Sequence, residues 1–81
     1  MNTNELATHA VEYRDAFDPD FDRITSLEVI REHGDHVYVH VVVMTDVDPI
    51  DADPRVPVET IQVIIRAGVV VSTERLSLHL I

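Results

Sequence analysis

A chain of 81 residues with a hydrophobic fraction of 46% is enough for one modest core, so 1–81 reads as a single domain and not as a disordered segment. It has no cysteine, which excludes disulfides and thiolate metal sites. Fifteen acidic residues stand against six arginines and no lysine, a net charge of -9 that disfavours direct binding to nucleic acid or anionic lipid.

The segment Met1 to Glu5 is not basic and leads into no apolar stretch, so no signal peptide is expected. No run approaches the ~20 apolar residues of a membrane span. The expected location is the cytoplasm, without membrane association.

Residues 4–17 follow a helical period. Leu6, Ala10, Tyr13 and Phe17 form one apolar stripe that Ala7 and Val11 widen, with Glu12, Arg14 and Asp15 on the other side. Asn2 and Glu5 have the spacing of a capping box, and Asp18-Pro19 stops the helix. A first strand is predicted over 24–32, with Leu27 and Val29 on one face and Ile24 and Ile30 on the other. His33-Gly34-Asp35 is a tight turn.

Residues 36–47 give the strongest strand signal. Val37, Val39, Val41, Val43 and Val47 alternate with His36, Tyr38, His40, Val42 and Met44. Pro49, Pro54 and Pro57, among aspartates, mark a solvated loop over 48–57. A third strand spans 58–66 with Ile61, Val63 and Ile65 on one face, and Ala67-Gly68 turns into a fourth over 69–81. Val69 and Val71 differ in parity from Leu76, Leu78 and Leu80, which predicts a β-bulge within Ser72 to Arg75.

The expected fold is therefore α+β: one N-terminal helix packed on a four-stranded antiparallel meander sheet, in the order α-β-β-β-β. Its layout is similar in shape to the curved sheets of cystatin-type and nuclear-transport-factor-type folds. No motif of either family is present, and shape alone carries no function.

Chemistry-bearing patterns are few. Asp18, Asp20 and Asp22 are spaced like the first ligands of an EF-hand. Arg23, however, stands where the loop needs glycine, and Val29 stands where it needs the bidentate glutamate. His36 and His40 share a strand face, but their Cα atoms are roughly 13 Å apart in extended chain, too far for two zinc–nitrogen bonds of about 2 Å. No metal and no cofactor is expected. Ser26, Ser72 and Ser77 lie on strands without a nucleophile elbow, and the only glycines, Gly34 and Gly68, sit in turns. No catalytic residue is identified, and the chain is expected not to be an enzyme.

Two surfaces remain as candidate sites. The first comprises Asp18, Asp20, Asp22, Asp46, Asp48, Asp51 and Asp53, expected to engage a basic protein surface such as that of a nucleic-acid-binding complex. In this respect the chain resembles, as a class only, the short acidic anti-CRISPR and anti-restriction proteins that act as DNA mimics or inhibitors. The second is an apolar interface of Tyr38, Val42, Met44 and Ile64, on the sheet face that one helix leaves open.

The alternative function is a structural or assembly subunit, a homodimer through the sheet face or an edge strand, with acidity serving only salt-adapted solubility. The apolar Leu80-Ile81 is expected to be held in the last strand or to pair with another chain. A third expectation is a small-ligand cup between helix and sheet that uses Tyr13, Tyr38 and the histidines.

Overall fold

The computed structural model describes residues 2–46 and 55–81. Helix α1 (Thr3–Glu12) precedes strands β1 (Asp22–His33), β2 (His36–Thr45), β3 (Pro57–Arg66) and β4 (Val69–Leu80). The strands form one antiparallel sheet in the order β1-β2-β3-β4, so the α-β-β-β-β meander of an α+β fold is observed as the pattern predicts.

Asn2 caps α1. Its side-chain oxygen accepts the Glu5 N–H at 2.8 Å, and its side-chain amide donates to the Glu5 carboxylate at 2.9 Å. A true capping box returns that second bond to the cap's own backbone N–H; here it goes to the cap's side chain. The helix ends at Glu12, five residues before the predicted stop at Phe17. Beyond it, Arg14 N–H donates to Val11 C=O and Phe17 N–H to Arg14 C=O, tight turns that return Phe17 to the core and Arg14 to Glu59. Tertiary contact outweighs the local helical pattern here. The fully buried helix positions are Ala7 and Val11, whereas Tyr13, predicted on the buried stripe, is 78% exposed.

The core is a single aliphatic layer: Ala7 and Val11 against Val39, Val41 and Val43 of β2 and Ile61, Val63 and Ile65 of β3. The period-two valines of β2 thus face the helix as their alternation demands. On β1, Ile24, Leu27 and Val29 pair with Val43, Val41 and Val39 and so share that inner face. The predicted split of Ile24 from Leu27 fails because Thr25 is skipped in the ladder, and Ile30 is skipped likewise. A bulge reverses side-chain parity beyond it.

β4 also carries two irregularities, which skip Val71 and Leu76, instead of the single bulge expected within Ser72 to Arg75. Val70, Thr73, Arg75 and Leu78 consequently pair with Ile65, Val63, Ile61 and Glu59 on the inner face. Gly34 closes the first hairpin at φ 63, and Ala67 and Gly68 close the last at φ 49 and 75, the pair of positive values that a type I′ turn needs. A ten-residue helix is ~15 Å long against ~40 Å for a twelve-residue strand, so α1 covers only part of the inner face.

Candidate interaction surfaces

The acidic residues that the fold gathers lie at one pole, where α1 ends, β1 begins and β2 ends. Asp22 ties these segments together. One of its carboxylate oxygens accepts the Thr45 hydroxyl at 2.6 Å, the other accepts the Asp18 N–H at 2.8 Å, and Asp18 in turn accepts the Asp20 N–H at 3.0 Å. Asp46 donates its N–H to Phe21 C=O at 2.7 Å and pairs loosely with Arg23 at 3.7 Å. Asp18, Asp20, Asp22 and Asp46 are therefore neighbours despite their separation in sequence. Asp48, Asp51 and Asp53 lie outside the described residues.

Beside this pole a groove of about 570 Å³ runs between the end of α1 and the start of β1, bordered by Glu12, Tyr13, Phe17, Asp22 and Arg23. The Asp18–Asp22 segment, EF-hand-like in spacing, forms a turn stabilised by its own carboxylates.

Tyr38, Val42, Met44 and Ile64 all lie on the outer face, opposite α1, as expected from β2 parity. Tyr38 pairs with Ile64 at one end and Met44 with Val58 at the other. Between them the His40 ring nitrogen meets the Gln62 side-chain oxygen at 3.2 Å, and Val42 is flanked by Ser26 and Thr60. The Arg31 guanidinium covers the Tyr38 ring at 4.3 Å. The four residues are half-buried, and a polar row divides them into two small apolar pairs.

At the pole opposite the acidic cluster, Asp35 joins the two hairpin turns. Its carboxylate accepts Arg66 Nε at 3.1 Å and lies 3.1 Å from His36 Nδ1, while its carbonyl accepts the Ala67 N–H. The Arg66 guanidinium holds the Asp35 carboxyl below its ordinary value of 3.8, with His36 acting in the same sense. His40 is bonded to Gln62 and His36 to Asp35. No group of three His, Asp or Glu side chains among the described residues is placed to hold a metal ion. Tyr13 stacks on His9 beside the groove, whereas Tyr38 and His40 lie on the far face of the sheet, so the predicted ligand cup is not assembled.

The exposed apolar residues concentrate on β4. Val69, Val71, Leu76, Leu78 and Leu80 are all exposed, against only Val29 and Ile30 on β1. β4 was expected to be held or paired, but which of its side chains stand open depends on two bulges, of which the sequence announced one and placed it within Ser72 to Arg75. The nearest sequence clue is the parity break between Val71 and Leu76. No helix among the described residues is long and apolar enough to cross a membrane. Comparison with protein-family models, curated proteins and solved structures finds no match.

Proposed function

We propose that this chain is a non-enzymatic acidic protein-interaction module that blocks a basic nucleic-acid-binding surface, an inhibitor or decoy of the anti-CRISPR or anti-restriction kind. One observation carries the reading: the Asp18–Asp22 turn and Asp46, 24 positions beyond Asp22, converge on one pole through the Asp22–Thr45 and Asp46–Phe21 bonds. Carboxylates set side by side on a chain of net charge -9 make a focused negative field, which attracts arginine and lysine at a distance.

The test is inhibition of DNA cleavage by a panel of RNA-guided nucleases and restriction enzymes. Two variants would be compared with the parent: Asp18, Asp20 and Asp22 changed to Asn, and Asp46, Asp48, Asp51 and Asp53 changed to Asn. Asparagine keeps an acceptor oxygen for the local turn while removing charge. Inhibition by the parent should weaken steeply as salt rises past about 0.1 M, where the Debye length falls to about 10 Å. Each variant should inhibit less, chiefly through slower association. Equal potency of the parent and both variants against any enzyme that is inhibited defeats the reading.

A second reading, an assembly subunit whose acidity serves solubility, is favoured by a different observation, the exposed apolar side chains of β4.

A further inference from the structure

We propose that β4 is the interface of a two-fold dimer: the β4 strands of two copies pair antiparallel and join two four-stranded sheets into one of eight. This does not depend on the acidic pole having a partner.

The sheet has two edges, β1 and β4, each twelve residues long. An unpaired edge presents N–H and C=O groups to any passing strand, and monomeric proteins guard such edges with charge. β1 is guarded in this way by Arg23, Glu28, Arg31 and Glu32. β4 is not: Glu74 and Arg75 are its only carboxylate and guanidinium, and five large aliphatic side chains stand open along it. Val69 is 61% exposed, and Leu78 and Leu80 are 52% exposed each. The entire buried core of the described residues holds eight side chains, so five left in water on one strand are a disproportionate cost unless something covers them.

The pattern of the strand selects a second copy as the occupant. From Val69 to Leu80 it runs apolar (Val69 to Val71), polar (Ser72 to Arg75), then leucine-rich (Leu76, Leu78, Leu80), and its midpoint falls between Glu74 and Arg75. Reversing the strand about Glu74 lays apolar end on apolar end: on the inner face, which Val70 and Leu78 share, Val70 of one copy comes opposite Leu78 of the other. Two-fold antiparallel pairing performs this reversal, and the same patch serves both partners.

Charge permits it as well. Two copies of net charge -9 repel, but β4 itself carries one negative and one positive side chain. The acidic pole lies at the β1–β2 corner, two to three strand spacings from β4, or roughly 10–14 Å. Antiparallel pairing sends the two acidic poles to opposite ends of the joined sheet, roughly 40 Å apart along the strands alone and several Debye lengths at 0.1 M salt. Parallel pairing would set both poles at one end. Bulges interrupt both edges, two on β1 and two on β4, so the difference between the edges lies in their charge.

The absence of cysteine allows a direct test. Sedimentation equilibrium of the full chain should give twice the 9.2 kDa mass, in high salt as well as low. Leu78→Asp should raise the dimer dissociation constant about tenfold or more while circular dichroism stays unchanged, since Leu78 is half-exposed in the single copy. Val69→Lys serves the same purpose if Leu78→Asp does not fold. A single Glu74→Cys, near the strand midpoint, should form an interchain disulfide on mild oxidation, whereas Thr25→Cys on the β1 edge should not. A chain that stays monomeric to about 1 mM overturns the proposal. So does a dimer that Leu78→Asp and Val69→Lys both leave intact, or one that cross-links through Thr25→Cys in preference to Glu74→Cys.

Discussion

Ala67 holds a left-handed backbone at φ 49 with no side chain suited to it. Its Cβ crowds the following carbonyl, a cost of about 1–2 kcal/mol for an ordinary L-residue. Asparagine tolerates this region better and is favoured at the first central position of a type I′ turn before glycine. Ala67→Asn is therefore expected to stabilise the fold by about 0.5–1 kcal/mol, read as a rise in Tm of about 3–6 °C. Space is not limiting at the neighbouring position, since a Cβ built on Gly68 meets nothing within 4 Å. An alanine there would still be strained, at φ 75. The turn was legible in the sequence from Ala67-Gly68, but the strain at Ala67 was not, because alanine carries no turn signal of its own.

Among the described residues, an ion pair ties the segment that follows the helix to the sheet. Glu59 on β3 accepts from Arg14 at 3.0 Å with one oxygen and from Arg75 on β4 at 3.4 Å with the other, and Arg14 and Glu59 are each about four-fifths buried. Arg14→Ala leaves that carboxylate with the longer Arg75 bond in a largely desolvated position. The expected loss is about 1–2 kcal/mol, measurable as a lower urea midpoint at unchanged m-value. Arg14 was read from sequence as a solvent-facing helix residue because the helix seemed to run on to Phe17. The mechanism that removes it from the helix is long-range, a carboxylate 45 positions away. The strands, by contrast, were legible because β-branched residues at period two and a glycine turn are local signals. A bulge in β4 was legible as a parity break but not its place or the second one, and the two of β1 were not legible, since skipping Thr25, Ile30, Val71 or Leu76 is settled by how each outer strand twists against its single neighbour. The same gap explains the candidate sites. The acidic neighbours could be guessed from composition, and the outer-face placement of Tyr38, Val42, Met44 and Ile64 from parity. The apolar surface of β4 required its register.

The molecule as a whole is long and thin, 47 × 19 × 16 Å, with a one-layer aliphatic core and a cluster of aspartates at one end. Such a body has little stability to spare. Its two inner strands have neighbours on both sides, and its two outer strands have one each. This difference gives each amide its own clock for exchange with heavy water. In dilute solution, amides of 36–45 and 57–66 should exchange only when the entire chain opens, whereas every second amide of 22–33 and 69–80, turned toward solvent, should exchange thousands of times faster. Raising the protein concentration should slow the outward amides of 69–80 and leave those of 22–33 fast. Peptide-resolved mass spectrometry after timed deuterium pulses would read this directly. Equal slowing of both segments would mean general crowding or aggregation. Slowing confined to 69–80 would make the isotope content of one strand a meter of how many molecules stand beside another.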